Sequence, residues 1–287
     1  MIPSDWISNG PLLADGAWGT ELQRQGLTAG ACADEWNLSR PEAVGAVARS
    51  YREAGSRVVL TNTFRANCVS LADFGLADRA EAINSAGVAI SKQYAPGALV
   101  FASIGPTGKL LVAEQVTREE MAAAFAGQAT ALARAGADAL LIETMSDPEE
   151  ASIAVREAKQ TGLPVIVSFA FESGKKRDRT LMGSTPERCA AAAVEAGADA
   201  VGANCGIGIE QAVPLCRRLA ETSGLPVWIK PNAGLPVTVE GGGISWPASP
   251  AEFAAQAPAV IEAGAKFIGG CCGTNPEFIR ALHAVLR

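Results

Sequence analysis

Short runs of apolar residues alternate along this chain with longer segments that have helical periodicity or are rich in alanine. Four of the helical segments end in Ala-Gly, and a glycine directly after a helix typically adopts the left-handed conformation that ends it. An apolar run follows each of these four within a few residues, and three more follow a Gly-Leu-Pro or Pro-Gly turn. With the first run they predict eight strands, at 12–15, 58–61, 99–102, 139–142, 165–169, 200–202, 227–230 and 267–269.

The eight runs are continuously apolar, as is typical of strands buried on both faces. Alanine-rich helical segments such as 121–135 and 186–196 separate them. Strict strand–helix alternation repeated eight times predicts an α/β protein with a single (β/α)8 TIM barrel spanning residues 1–287. A doubly wound open sheet is the alternative, but it seldom carries eight such even units. No Gly-x-Gly-x-x-Gly or Walker sequence opens a helix, so nucleotide binding has no support from motifs.

The charge and the distribution of basic residues indicate which kinds of partner the protein binds. The net charge is -6, and no long run of lysine or arginine provides a surface for nucleic acid or for an anionic membrane. We therefore expect a small-molecule partner, with no nucleic acid and no membrane. The beginning of the chain lacks a secretory pattern and no stretch reaches the roughly 18 apolar residues of a membrane span, so we expect a cytoplasmic protein. Seven cysteines, an odd number, favour reduced thiols over a disulfide framework.

Three cysteines follow predicted strands, where the active site of such a barrel lies. Cys205 ends the sixth strand, and the pair Cys271 and Cys272 ends the eighth. Because these strands flank the seventh, their ends should lie roughly 10 Å apart, within reach of one metal ion. Three thiolates that leave a fourth position free are typical of a catalytic zinc site, so we predict that the three bind Zn²⁺. The alternative, a cysteine buried as an apolar residue, suits Cys189 and Cys216 in predicted helices.

Further motifs lie at the ends of the other strands, in the segments 15–21, 61–64, 105–108, 143–144 and 231–236. Together with the two cysteine elements, and in the same order, they resemble the homocysteine S-methyltransferase family, and within it the homocysteine-binding module of cobalamin-dependent methionine synthase. The likeness covers nearly the whole chain. The folate-binding, cobalamin-binding and reactivation modules of that enzyme have no counterpart in these 287 residues.

The resemblance implies an enzyme that activates homocysteine as a zinc thiolate and methylates it to methionine. It places the amino group of homocysteine at Asp15 and Glu143, whose alternative role is to cap the following turn and helix. Gly16 would let backbone N–H groups approach the substrate carboxylate. Asn204 would orient the thiolate or the substrate, and Asn232 would fill the fourth zinc position before the substrate arrives.

The residues leave the methyl donor open. An onium compound such as S-methylmethionine suits a self-contained barrel, and a methylated corrinoid or folate protein acting in trans suits the likeness to methionine synthase. A betaine-type donor requires an aromatic cage, for which Trp18, Trp36 and Trp246 are candidate walls. A homo-oligomer is also compatible with the sequence.

Two other functions fit parts of the sequence. Lys230 ends the seventh strand and could form a Schiff base in an aldolase-like barrel, which would leave the cysteines unexplained. Zinc could instead serve only a structural role, in which case a fourth protein ligand usually closes the site.

Finally, apolar and polar residues alternate in segment 236–246 on both sides of three glycines, which predicts a hairpin in the seventh βα loop. This hairpin would either shield the site or pack Trp246 on the barrel.

Overall fold

The strands form one large sheet and one small one. The computed structural model describes residues 1–238 and 244–287. Its strands are β1 (Leu12–Leu13), β2 (Val58–Leu60), β3 (Leu99–Ile104), β4 (Ala139–Met145), β5 (Val165–Phe169), β6 (Ala200–Gly208), β7 (Val227–Asn232), β8 (Val237–Thr238), β9 (Ile244–Ser245) and β10 (Ala265–Ile268). Each of the eight predicted strands corresponds to one of these, and β8 and β9 are additional.

Helices separate the strands of the large sheet. They are α1 (Ser4–Ile7), α2 (Trp18–Arg24), α3 (Trp36–Ser39), α4 (Pro41–Glu53), α5 (Cys68–Ala72), α6 (Ala80–Tyr94), α7 (Arg118–Arg134), α8 (Pro148–Lys159), α9 (Pro186–Ala196), α10 (Ile209–Ser223), α11 (Pro250–Ala255), α12 (Ala257–Glu262) and α13 (Pro276–Val285), with 3₁₀ turns at Ala77–Arg79 and Leu111–Ala113. All four glycines of the repeated Ala-Gly pairs have positive φ, as their position after a helix predicts. Within the described residues, no helix combines the length and apolar character needed to cross a membrane.

The large sheet is a nearly closed parallel barrel. Its strand order is β1-β10-β7-β6-β5-β4-β3-β2, and every neighbouring pair is parallel. Hydrogen bonds join the segments of the two end strands: the N–H of Arg57 donates to the Leu13 carbonyl at 2.8 Å, and the N–H of Leu60 donates to Oδ2 of Asp15 at 2.7 Å. The predicted (β/α)8 TIM barrel is confirmed, and the open doubly wound alternative is wrong.

The interior of the barrel is apolar at the end where the strands begin. Phe101, Trp228 and Phe267 pack together with ring centroids 5.5 to 6.0 Å apart. Trp6, on the helix that precedes β1, lies 5.4 Å from Phe101. Because this end is filled by aromatic rings, polar chemistry inside the barrel is confined to the opposite end, where the strands finish.

The predicted hairpin follows β7. Strands β8 and β9 pair antiparallel, with Val237 opposite Ser245 and Thr238 opposite Ile244. The connecting residues 239–243, with the three glycines, lie outside the described residues. Trp246, just after the hairpin, lies so close to Gly273 that a Cβ there would overlap the indole ring. The packing of Trp246 on the barrel is therefore observed.

Candidate metal centre and acceptor site

The three predicted zinc ligands come together at the C-terminal end of the barrel. The sulfur atoms of Cys205, Cys271 and Cys272 all lie within 4.8 Å of one another. The sulfurs of Cys205 and Cys272 are 3.6 Å apart, too far for a disulfide bond of about 2.05 Å. All three side chains are half-buried. The other two cysteines considered, Cys189 and Cys216, are buried in helices α9 and α10, as predicted.

Unusual backbone geometry turns the first of these thiols toward the other two. Cys205 has φ +58° and Gly206 has φ +64°, and the pairing of β6 with β7 shifts register between Asn204 and Gly208. The left-handed conformation costs a residue other than glycine about 1–2 kcal/mol. On the other side, the N–H of Cys271 donates to the Pro231 carbonyl at 2.7 Å, which ties the cysteine pair to the end of β7.

The three thiols cannot all ionise without a nearby positive charge. Hydrogen bonds from Cys271 and Cys272 lower the pKa of Cys205, whereas the hydrogen bond to Cys205 raises the pKa of Cys271. The same contacts raise the pKa of Cys272. Three sulfur donors so close together suit a soft or borderline dication, which would hold all three as thiolates. Next to them, the buried Oδ1 of Asn232 has no hydrogen-bond partner among residues 1–238 and 244–287, and its amide group hydrogen-bonds Cys205. The donor set therefore fits zinc.

Asn204 connects the cysteines to a buried carboxylate. Its Oδ1 accepts hydrogen bonds from the Thr144 N–H at 2.9 Å and from the Ser168 hydroxyl at 2.6 Å. Its Nδ2 donates to the Thr144 hydroxyl at 2.7 Å, and lies 3.5 Å from Oε2 of Glu143 and 4.0 Å from the Cys271 sulfur. Thr144 has φ +62°, a rare conformation for a β-branched residue. The two hydrogen bonds between Thr144 and the Asn204 amide hold it in this conformation.

Glu143 lies in the C-terminal half of β4 and faces the inside of the barrel. The side chain is buried, and Oε1 accepts a hydrogen bond of 2.5 Å from the Ser103 hydroxyl. Burial raises the pKa of Glu143 to about 7, although Lys230 acts in the opposite direction. The predicted alternative, that Glu143 caps the next helix, is wrong, because Asp147 caps α8 by accepting from the N–H of Glu149.

Asp15 is fully buried and has three partners from the chain itself. Oδ1 accepts from the Lys230 ammonium at 2.5 Å, and Oδ2 accepts from the Leu60 N–H and the Trp18 indole, both at 2.7 Å. Helix α2 begins after Ala17 without a side-chain cap, so a capping role for Asp15 is also wrong. Burial lowers the pKa of Lys230, but Asp15 and Glu143 raise it overall. A Schiff-base lysine has to lose its proton, so this pairing disfavours the aldolase-like alternative.

The loop that follows Asp15 is tightly packed. A Cβ on Gly16 would lie 2.7 Å from Tyr51 and 2.9 Å from Thr274. The Tyr51 hydroxyl donates to the Ala17 carbonyl at 2.7 Å, and the Ala17 N–H donates to the Thr274 hydroxyl at 3.2 Å. Glycine is therefore required here by packing within the protein. The predicted contact of this backbone with a substrate carboxylate stays a prediction.

A cavity of about 680 Å³ opens beside Cys272. Its lining comes from helix α2, from the residue that follows the hairpin and from the cysteine loop: Gly19, Thr20, Gln23, Arg24, Trp246, Cys272 and Gly273. The tryptophans considered for an aromatic cage lie in different surroundings: Trp18 donates to Asp15, Trp36 lies 4.1 Å below the Arg40 guanidinium, and Trp246 covers Gly273.

Sequence reasoning placed some supporting residues near the site without giving them a role, and missed another. Ser103 and Ser168 lie near the ends of β3 and β5, and their position at the end of an apolar run indicates that they face the site. Tyr51 lies in helix α4, where nothing in its sequence surroundings distinguishes it from an ordinary core residue. Lys230 was recognised as a strand-end residue, but its pairing with Asp15 joins positions 215 residues apart.

Comparison with known proteins identifies relatives. A sequence model described as homocysteine S-methyltransferase matches residues 12–286. Methionine synthase from Mycobacterium tuberculosis is 33% identical over 299 aligned residues, which cover 98% of this chain and 25% of that protein, and the Mycobacterium leprae protein is 33% identical, covering 96% and 24%. The chain thus spans about a quarter of the length of the curated relatives it matches.

Solved structures with the same fold include the homocysteine methyltransferase MmuM from Escherichia coli. Its metallated form is 25% identical, with a TM-score of 0.78 and coverage of 96% of both chains. Its oxidized form is 24% identical, with a TM-score of 0.81 and coverage of 99% of both chains.

Proposed function

The chain belongs to the homocysteine S-methyltransferase family, and on that premise we propose that it transfers a methyl group to homocysteine and releases methionine. One observation carries this proposal: three thiols within 4.8 Å of one another lie beside a buried carboxylate at the open end of the barrel. The three thiols could bind a metal ion, and the carboxylate could bind a positive charge. Such a site suits an amino acid that carries a thiol, which has one group for each.

We propose that Cys205, Cys271 and Cys272 hold Zn²⁺, with Oδ1 of Asn232 at the fourth position until the acceptor replaces it. Two observations support this assignment: the three sulfur donors, and the Asn232 oxygen, which has no hydrogen-bond partner in the part of the chain that the structure describes. A free thiol with a pKa near 8.5 is only about 3% ionised at pH 7, and bound zinc would supply the positive charge that keeps the acceptor thiol ionised.

The residues of the chain position the acceptor. Asp15 and Glu143 provide two buried carboxylates, which suit an acceptor with an ammonium group. Asn204 lies between Glu143 and the Cys271 sulfur, and we propose that the backbone N–H groups at Gly16 face the substrate carboxylate. In the transfer, the thiol gives its proton to solvent and its sulfur bonds to the methyl carbon. The bond from that carbon to the donor breaks, and its electrons stay on the donor.

The donor is proposed in two forms. An onium compound of the S-methylmethionine type needs no second protein and could enter through the cavity beside Cys272. A methylated corrinoid or folate protein acting in trans is the second form, and the similarity to methionine synthases supports it. A betaine-type donor has less support, because Arg40 already covers the Trp36 ring.

The test combines metal content with product formation. Wild type is compared with Cys272→Ala and, as a matched control, with Cys189→Ala, whose thiol is buried in helix α9. Each receives homocysteine and, in separate reactions, S-methylmethionine, betaine or methylcobalamin. We expect about one zinc per chain and methionine formation in wild type and Cys189→Ala only, and the productive donor identifies the second substrate.

The same experiment separates the alternatives. Zinc that is bound but is neither accessible to homocysteine nor associated with methionine formation would favour a structural site and refute the proposal. An active protein that holds no zinc, or activity that survives in Cys272→Ala, would refute the metal assignment.

A further inference from the structure

One buried lysine lies among the carboxylates of the acceptor site. Lys230 is 2% exposed, points into the barrel from β7 and donates to Asp15 at 2.5 Å. Its ammonium lies 5.8 Å from the centroid of the Trp228 ring, directly above the aromatic layer of the barrel interior. A buried ammonium is costly unless it is paired and hydrogen-bonded, and Asp15 meets both conditions.

Asp15 is in turn occupied by the chain. Three donors from three different elements converge on it: the Lys230 ammonium of β7, the Leu60 N–H of β2 and the Trp18 indole of α2. Its charge is balanced, and both oxygens carry short hydrogen bonds. A substrate ammonium could bind Asp15 only in competition with a tethered ammonium that is already there.

Glu143 is in the opposite situation. Its partners are uncharged: the Ser103 hydroxyl at 2.5 Å and the Asn204 amide at 3.5 Å. Across the described part of the chain, no lysine or arginine lies within ion-pair distance of it. The site thus holds two buried carboxylates and one buried ammonium, and among the described residues Glu143 is the carboxylate left without an ion-pair partner.

We propose that Lys230 determines how the acceptor is recognised: it neutralises Asp15, so that Glu143 alone binds the ammonium of the substrate. This inference rests on the proposed function, because it assumes an acceptor that carries both a thiol and an ammonium group. Lys230 and Asp15 act as positioning residues that join β1, β2 and β7, and Glu143 is the residue that touches the substrate. The substrate class is a thiol with a single cationic group close to its sulfur.

The test compares homocysteine with 4-mercaptobutanoate, which has the same thiol and carboxylate but no amino group. Binding to the zinc-loaded protein is measured by calorimetry, and KM and kcat are measured for both thiols with the productive donor. The variants are Glu143→Gln and the charge-neutral double variant Asp15→Asn/Lys230→Met, which removes both charges together and avoids a buried unpaired charge. Melting temperature and zinc content verify that each variant is folded.

We expect Glu143→Gln to weaken homocysteine binding by about 10- to 100-fold, the effect of losing a hydrogen bond between charged groups, and to leave 4-mercaptobutanoate binding unchanged. The double variant should retain the wild-type preference for homocysteine, with losses that are equal for the two thiols. Combining Lys230→Met with Glu143→Gln should restore part of the lost preference, because Asp15 then becomes available.

The opposite pattern overturns the inference. If the double variant loses the preference and Glu143→Gln keeps it, Asp15 binds the ammonium and Lys230 does not neutralise it. If both variants lose it equally, the two carboxylates share the ammonium, and the inference is also wrong. Failure of the proposed function has a different signature: wild type would then neither bind nor methylate homocysteine, and this inference would fall with it.

Discussion

Replacing Gly16 by alanine tests whether the loop that carries Asp15 is held as closely as its packing indicates. The added methyl carbon would lie 2.7 Å from Cε1 and from the hydroxyl oxygen of Tyr51, and 2.9 Å from the Thr274 hydroxyl. Tyr51 is fully buried and hydrogen-bonded to the Ala17 carbonyl, so its ring has no room to withdraw. Thr274 also donates to the Cys271 carbonyl at 2.7 Å, which links this contact to the cysteine pair.

The expected cost follows from two effects. Forcing one extra carbon into a packed interior costs about 1–3 kcal/mol. If the Tyr51 hydroxyl shifts, the buried Ala17 carbonyl loses its partner, at a further cost of about 1–3 kcal/mol. If both effects operate, we expect the free energy of unfolding to fall by about 2–6 kcal/mol, and Tm to fall by roughly 4–18 °C at about 2–3 °C per kcal/mol for a chain of this size.

The matched control is Gly19→Ala, three residues further along the chain. Gly19 is exposed in helix α2, and a Cβ there would meet no described atom within 4 Å beyond its chain neighbours and the backbone of its own helix. Alanine in a helix is more stable than glycine by roughly 0.5–1 kcal/mol, so this variant should melt slightly above wild type. Thermal and urea unfolding of the three proteins are compared at equal zinc concentration. If Gly16→Ala unfolds together with wild type, the loop can relax and our account of Gly16 is refuted.

Three further predictions follow from the site and its surroundings. Tyr51→Phe removes the donor of a buried hydrogen bond and should lower the free energy of unfolding by about 1–3 kcal/mol in urea titrations, with unchanged stability contradicting this role. Because the pKa of Glu143 is raised to about 7, its carboxyl group becomes neutral as the pH falls below that value. Homocysteine binding should therefore weaken below pH 7 relative to 4-mercaptobutanoate binding, and calorimetry with Glu143→Gln should show no such change. Gly273→Ala should destabilise the protein more than Gly108→Ala, because both glycines have positive φ but only Gly273 would place its Cβ against Trp246. Equal melting temperatures of the two variants, or unchanged tryptophan fluorescence in Gly273→Ala, would argue against this packing.

The strands were predictable because each is buried on both faces and therefore forms a continuous apolar run. The same signal fails at the strand ends. Strand β6 was predicted to end at residue 202 and continues to Gly208, because Asn204 still pairs with Lys230 on β7. Polar residues interrupt the apolar run there, whereas the pairing with β7 continues to Gly208 after a shift in register. The functional residues are thus found where hydropathy is least informative about the end of a strand.

The clustering of the cysteines was also predictable. Parallel strands all bring their C-terminal ends to one face of the barrel, so residues that follow the sixth and eighth strands must lie close together. The backbone conformation that orients their side chains could not be predicted in the same way. Cys205 and Thr144 both adopt positive φ, which their residue types disfavour and which surrounding hydrogen bonds and register shifts maintain.

The sequence by itself determined the barrel, the order of its strands and the face on which the chemistry lies, because these follow from local periodicity and from the geometry of parallel strands. Only the tertiary structure decided how the charges are distributed. Asp15 and Glu143 look equivalent as carboxylates at strand ends, yet one is paired with Lys230 and the other is not. That difference depends on which side chains meet across the barrel, and contacts between residues far apart in the chain are set by packing in three dimensions.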